Sequence, residues 1–377
     1  MIIDPYLYVL LKAIVFIFVI IVLFLLTIIT MRYVRKVNNE QYNVLSQSWE
    51  TVFLSYLNGE LSLTKTLKLL RIKNKYYWFW LFIEPYLESL SGDDFKIVKA
   101  LCRKSGLIAH YQKQIKKGRT NKKADAARIL GILKCHESIN DMLKLLFSKK
   151  TFLVLAAAQG LAASGKHNTF ETVARVMLAN TYFTYEGATA ILAGYGNNIC
   201  NRIIAILGSF IDKSCHHSLA DSCQLDEQHH EPDISDSVYN SILVDLLGHF
   251  RCSKSLPVLD QLLPKADYET IVHILKAYTR IGEVSDNFSV APYLGHKYWV
   301  IRSFSAQVWP LTDDLASINI IADLLDDHHW WVRFHAAKAL FSMGDKGKAL
   351  LQNKTVKGKE AAADISRYIL SLEGTAG

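Results

Sequence analysis

The chain has 377 residues, half of them apolar, and a formal net charge of +8. A chain of this length and hydrophobicity can bury a large core, so its composition excludes a mainly disordered protein. The charge is unevenly spread, because residues 32–123 hold 18 Lys and Arg against 7 Asp and Glu, whereas residues 124–377 hold 24 against 27.

The first predicted element is a membrane-spanning helix at residues 6–31. Residues 13–31 are 19 consecutive residues without a charge. As a helix they would be about 28 Å long, near the hydrocarbon thickness of a bilayer. A cleaved signal peptide and a buried core helix are the alternatives. The segment has no basic region before the apolar run and no small-residue cleavage site after it, so we predict a signal-anchor helix.

Basic residues predict the orientation of this helix. Arg32, Arg35 and Lys36 follow the span directly, and the positive-inside rule then places the C-terminal bulk in the cytoplasm, with one pass through a bacterial-type inner (plasma) membrane. The six cysteines have no regular spacing, and we interpret them as reduced thiols, in agreement with a cytoplasmic location. They are Cys102, Cys135, Cys200, Cys215, Cys223 and Cys252.

Residues 32–90 are predicted to be a juxtamembrane helical segment and an N-terminal cap. Apolar residues at helical spacing, Trp49 among them, predict that the first helix continues to about residue 58. Residues 76–83 are entirely apolar or aromatic but too few to span a bilayer. They form either an interfacial helix on the membrane or a capping helix buried against the first repeat, and the need to cover the end of a repeat stack favours the cap.

A basic stretch follows at residues 96–123. It holds ten Lys and Arg and no Asp or Glu. An anionic lipid surface, a plain solvated face and a polyanion such as nucleic acid are the three interpretations, and the neighbouring membrane anchor makes lipid the favoured one. The candidate lipid-facing residues are Lys113, Lys116, Lys117 and Arg119.

The rest of the chain is repetitive, with a period of about 31 residues, which is a length that fits two short helices and their turns. Similar residues recur at this spacing in two registers, about 124–211 and 237–370, with roughly 24 extra residues between them. A fixed period of this size predicts an all-α solenoid of stacked helix pairs, whose second helices we expect to line a concave surface. The two tracks are Leu130, Leu161 and Leu192, then Leu247, Tyr278, Trp309 and Leu340.

Three segments carry a family resemblance. WWVRFHAAKALFSMG, YWVIRSFSAQVWPLTD and ADAARILGIL resemble the short HEAT repeats that are also found in phycobilisome lyases. The resemblance covers about 280 residues, and it implies HEAT-like repeats at 91–211 and at 237–373, where a C-terminal cap ends the stack. It says little about activity, because one fold hosts many functions.

Residues 212–236 form an acidic insertion with seven Asp and Glu and one Lys. This composition predicts a loop. Zinc must be considered, but the spacing of the Cys and His residues matches no established zinc motif, and we assign no metal. These residues are Cys215, His216, His217, Cys223, His229 and His230.

Two enzyme families resemble the chain in repeat type. Deoxyhypusine hydroxylases resemble the chain in repeat type and bind two irons through His-Glu pairs where the first helices begin. Here those positions read His335-Ala336, Phe304-Ser305 and Asp125-Ala126, so the iron ligands are not carried over. Phycobilin lyases are soluble, whereas this chain opens with an anchor. We also find no phosphate-binding glycine loop, nucleophile elbow or zincin motif, and we predict no catalytic residue and no cofactor.

A Trp and Arg cluster is the candidate interaction surface, because these residue types dominate binding hot spots. The alternative is packing between repeats, with Asp326 or Asp327 available to pair with the second arginine. The cluster consists of Trp299, Arg302, Trp330, Trp331 and Arg333.

The expected function is that of a non-catalytic, membrane-anchored scaffold that binds a protein partner. The layout resembles bacterial single-pass HEAT proteins that accompany membrane glycosyltransferases in surface-polysaccharide assembly. The shared features are the anchor, the helices around Trp49 and Trp78/Trp80, and the AARILGIL unit. The alternatives are a HEAT-like enzyme or enzyme subunit, bilin-lyase-like or metal-dependent, and a polyanion-binding protein that uses residues 96–123.

Overall fold

A computed structural model describes residues 5–180, 182–215, 236–286, 288–312 and 314–372. All regular secondary structure in these ranges is helical, as predicted. The chain divides into two compact units, Met1–Gln114 and Ile115–Gly377.

The first unit is organised around one long helix, α1 (Pro5–Leu57). Its N-terminal part is apolar and unburied, and it is long and apolar enough to cross a membrane. The remaining helices of this unit are α2 (Leu63–Leu70), α3 (Tyr76–Ser89) and α4 (Gly92–Lys104), and α5 (Leu107–Lys117) begins here.

The C-terminal part of α1 supplies the core of this unit. Trp49 and Phe53 are buried, and the Trp49 ring contacts Phe79 and Phe82 of α3 at centroid distances of 5.7 and 5.8 Å. The Trp49 Nε1–H donates to the Leu70 carbonyl over 2.9 Å. Helix α3 is therefore buried, as the cap interpretation required, but it packs on α1. The Tyr76 ring of α3 also lies 4.6 Å from the His110 ring of α5, which falls in the range predicted for the first repeats, so α3 has partners on both sides.

The second unit is a stack of helix pairs, which confirms the predicted solenoid. Each first helix contacts the first helix of the next pair. The first helices are α6 (Thr120–Ile132), α8 (Thr151–Ala163), α10 (Tyr185–Ala193), α12 (Asp236–His249), α14 (Tyr268–Ile281), α16 (Trp299–Val308), α18 (Trp330–Ser342) and α20 (Glu360–Ser371). The second helices are α7 (Ile139–Leu146), α9 (Phe170–Ala179), α11 (Cys200–Cys215), α13 (Leu256–Leu262), α15 (Ala291–Leu294), α17 (Ile318–Asp323) and α19 (Asp345–Lys357).

Glycine brings two first helices unusually close together. A Cβ on Gly131 of α6 would lie 2.2 Å from the carbonyl oxygen of Gly160 in α8. No side chain fits in that space, so the backbones of α6 and α8 pack directly on each other.

Within the described part of the chain, the turns after six first helices have a left-handed residue. Gly165, Gly196, Gly282 and Gly344 have positive φ at this repeat position. Lys134 and Arg251 occupy the same position with a φ of 49°, a conformation that is costly for a residue with a Cβ.

The acidic insertion joins α11 to α12. Helix α11 ends at Cys215 and α12 begins at Asp236. The other Cys and His residues considered for zinc, including His216 and His229, lie outside the described residues. Four cysteines of the described part are buried and form no disulfide there: Cys102, Cys135, Cys200 and Cys252.

Candidate binding surfaces

The predicted tryptophans lie at the beginnings of two first helices. Trp330 and Trp331 are 46% and 52% exposed at the start of α18, with ring centroids 4.8 Å apart. Trp299, at the start of α16, is half-buried and stacks on His329 at 5.0 Å. Two large apolar rings therefore face solvent side by side.

Further aromatic residues extend this surface beyond the predicted set. Tyr268 and Tyr298 are 43% and 44% exposed, and their rings lie 4.6 Å apart. Tyr268 precedes Trp299 by one repeat period, as Trp299 precedes Trp330, so the period itself was a signal that could have identified it. The aromatic band is defined here as Tyr268, Tyr298, Trp299, Trp330, Trp331 and Phe334.

Arg302 has a structural role beside the aromatic band. Its Nε and Nη2 donate to the Asp327 carboxylate over 2.7 and 3.0 Å, and its Nη1 donates to the carbonyls of His296 and Lys297. Burial acts to raise the pKa of Asp327, but the hydrogen bonds from Arg302 and from the His329 N–H outweigh burial and lower it. This bidentate pair links two neighbouring repeats.

Arg333 does not pair with an acid as the sequence suggested. Its Nη1 donates to the carbonyls of Asp327 and His328 over 2.8 and 3.1 Å. The Asp327 carboxylate is already bound by Arg302, and the Asp326 carboxylate is bound by Lys354 over 2.6 Å. The predicted cluster therefore separates into two groups. The arginines donate to backbone carbonyls of the turns before their helices, and Trp330 and Trp331 face solvent.

His335 lies on the first-helix face beside the band. Its ring stacks on Trp331 at 5.8 Å. Burial and the nearby Lys338 lower the pKa of His335 to about 4, so the imidazole is neutral at physiological pH. A neutral, partly buried ring extends the apolar character of the band.

The four candidate lipid-facing residues are all exposed: Lys113, Lys116, Lys117 and Arg119. Lys116 lies 3.7 Å from Asp141, and its own side chain is 61% exposed. A pair this open contributes little, so the stretch still presents positive charge to solvent.

A polar groove lies elsewhere in the second unit. It is a cavity of about 720 Å³ on α10, α12 and α14, which are first helices, whereas the sequence had suggested second helices as the binding surface. The groove is lined by Tyr185, Glu186, Thr189, Ala190, Ala193, Asp245, Gly248, His249, Arg251, Thr279 and Arg280.

Asp245 forms the floor of the groove and joins its three helices. Its side chain is 10% exposed and accepts hydrogen bonds from the Tyr185 hydroxyl over 2.9 Å and from the His273 Nδ1 over 3.0 Å. Arg280 reaches it with Nη1 at 3.4 Å. Burial raises the pKa of Asp245, but these partners outweigh burial and lower it, while burial and Asp245 raise the pKa of Tyr185. Sequence reasoning missed this site, because its residues belong to no motif.

The described residues contain no group of three or more His, Cys, Asp or Glu side chains arranged to hold a metal ion.

Comparison with known proteins finds similar chains among solved structures. No family model matches the chain, and no curated protein matches it significantly. Among solved structures, human deoxyhypusine hydroxylase in complex with glycerol is 14% identical, with 88% of this chain and 98% of that chain covered and a TM-score of 0.24. A superposition this loose carries no argument about activity, and the helix-pair architecture of this chain stands on its own contacts.

Proposed function

We propose that the chain is a membrane-anchored, non-catalytic adaptor that binds a protein partner through the aromatic band. The observation that carries this proposal is the exposure of Trp330 and Trp331, at 46% and 52%, next to each other on the repeat unit. Burying such rings on a partner yields a large apolar contact at low entropic cost, which is why Trp is frequent at hot spots.

The N-terminal helix supports the membrane part of the proposal. Its apolar segment is not buried by the protein, and Arg32, Arg35 and Lys36 follow it, which favours an inner membrane with the repeat unit in the cytoplasm. A tethered unit meets a membrane partner at a raised effective concentration. Exposed Lys113, Lys116, Lys117 and Arg119 are proposed to contact anionic lipid.

The partner that we propose to test first is a membrane glycosyltransferase of surface-polysaccharide assembly. This choice rests on the resemblance in layout described for the sequence. The experiment is a pull-down from native membranes in mild detergent, read by mass spectrometry. It compares the full chain, a chain without residues 1–31, and the Trp330→Ala/Trp331→Ala variant.

Tyr368→Ala serves as the matched control, because Tyr368 is an aromatic residue of α20 that is 49% exposed and does not belong to the band. We expect one integral-membrane protein to be recovered with the full chain and with Tyr368→Ala, and to be lost with the double variant. Equal recovery by the double variant would refute the band as the binding surface. A pigment or bound metal in the purified chain would instead favour the HEAT-like enzyme.

A further inference from the structure

The groove on α10, α12 and α14 carries a separate inference. We propose that it is a carboxylate-binding site for an acidic peptide segment, with Arg280 and Arg251 as the groups that bind the carboxylates. It is an open groove whose volume of about 720 Å³ falls in the range of clefts that bind ligands. The site does not involve the aromatic band, so the proposal is independent of the adaptor function.

Asp245 positions Arg280 and still leaves most N–H donors of its guanidinium available to a ligand. The Asp245 carboxylate already accepts hydrogen bonds from Tyr185 and His273 over 2.9 and 3.0 Å. The Arg280 Nη1 lies farther away, at 3.4 Å, and the Arg280 side chain is 51% exposed. A guanidinium has five N–H donors in a planar fork, so most of them remain for a bidentate contact with a carboxylate.

Arg251 occupies a position where glycine would be less strained. Gly165, Gly196 and Gly282 hold the equivalent turn position in other repeats, and Arg251 adopts a φ of 49° there. Its side chain is exposed and lines the groove. Lys134 has the same conformation outside the groove, so the position of Arg251 at the edge of the cavity, and not its backbone conformation, supports a role for its side chain.

The charges around the groove favour an acidic ligand on one wall. Arg251 and Arg280 come from the α12 and α14 side. Asp245 is buried and hydrogen-bonded, so Glu186 of α10 is the exposed acid of the lining. Glu269 of α14 is also exposed and acts on Tyr185, but it lies outside the lining. Neither Arg251 nor Glu186 forms an ion pair within the described part of the chain. A carboxylate that enters is thus repelled by Glu186 and attracted to the arginines.

The test measures binding of a fluorescein-labelled oligoglutamate peptide with an amidated C-terminus, by fluorescence anisotropy, to the full chain in detergent. All proteins carry Lys113, Lys116, Lys117 and Arg119 changed to Gln, so that the basic stretch does not compete for the probe. Oligoglutamine of equal length is the neutral probe. We expect oligoglutamate to bind at least about tenfold more tightly than oligoglutamine, since charge-assisted hydrogen bonds to arginine are strong.

Substitutions in the groove then identify the site. Arg280→Gln should weaken oligoglutamate binding by about tenfold, and Arg280→Lys should give an intermediate affinity because lysine keeps the charge but loses the fork. Arg251→Gly should weaken binding by about threefold to tenfold. Lys134→Gly is its matched control, because Lys134 has the same φ of 49° and is not part of the groove.

Thermal unfolding separates loss of binding from loss of fold. Both glycine variants relieve a left-handed residue and should melt at or above the temperature of the parent. Weaker binding by Arg251→Gly but not by Lys134→Gly would therefore support the site. Unchanged oligoglutamate affinity in Arg280→Gln and Arg251→Gly, or equal binding of oligoglutamine, would overturn it.

Discussion

At the scale of single residues, two arginines with the same sequence context differ in what they bind. Arg302 and Arg333 lie one repeat period apart, and both donate to a pair of backbone carbonyls just before their helix. Arg302 also binds the Asp327 carboxylate of the next repeat. The sequence could predict the arginine positions, but the choice of acid depends on side-chain geometry across a repeat boundary.

Arg302→Ala should destabilise the repeat unit, because it leaves the Asp327 carboxylate, 8% exposed, without its main partner. We expect a cost of about 3 kcal/mol, which lowers the melting temperature by about 6–12 °C. Circular dichroism of the full chain in detergent measures this. Arg367→Ala is the control, since the Arg367–Asp364 pair is 63% exposed on both sides and should matter little.

The Arg302–Asp327 ion pair also predicts how the stability of the folded chain depends on pH. The pKa of Asp327 is lowered in the folded chain from an ordinary value of 3.8, so the unfolded chain binds more protons in that range. Its contribution to stability is therefore complete above about pH 4 and is lost as the pH falls through the lowered pKa. The difference in melting temperature between the parent and Arg302→Ala should narrow below pH 4, and a constant difference would contradict this account.

At the scale of helices, the periodicity of the sequence predicted much of the fold but little of the candidate binding sites. The repeat period predicted the stacked pairs, and the apolar stripe around Trp49 predicted the extension of α1 to residue 57. The groove could not be predicted, because Tyr185 and Asp245 are 60 residues apart and lie on either side of the insertion. Only the packing of three first helices brings them together.

Replacing glycine by alanine should have opposite effects on stability at Gly131 and at Gly208, because their surroundings differ. Gly131→Ala places a Cβ 2.2 Å from the Gly160 carbonyl oxygen, so α6 and α8 must move apart, at a cost of about 1–3 kcal/mol. Gly208 lies inside α11 with nothing within 4 Å of a new Cβ, and Gly208→Ala should stabilise the chain by about 1 kcal/mol. Thermal unfolding measures both changes in stability. A change in the same direction for the two variants would contradict the direct backbone contact between α6 and α8.

At the scale of the whole molecule, an unburied apolar helix and a helical repeat unit belong to one chain. The apolar part of α1 has a mean hydropathy of 3.3 and is 0% buried by the protein. Exposing that surface to water is unfavourable by roughly 25 cal/mol per Å² of apolar area. A lipid environment removes this cost, which is the physical reason for the proposed anchor.

Membrane insertion and orientation can be tested together. We expect the full chain to stay with membranes after alkaline carbonate extraction, and the chain without residues 1–31 to be released. If the repeat unit faces the cytoplasm, protease added to intact spheroplasts should leave it uncut, whereas protease added to inverted vesicles should digest it.

We expect the positive charges after the span to decide the orientation of the chain in the membrane. Changing Arg32, Arg35 and Lys36 to Glu removes the positive charge that holds the C-terminal side inside. A fraction of this variant should therefore become protease-sensitive in spheroplasts. A variant with Lys113, Lys116 and Lys117 changed to Glu, more than 80 residues after the span in sequence, should keep the parent orientation. Digestion of the parent from outside would reverse the proposed topology and place the groove and the aromatic band on the other side of the membrane.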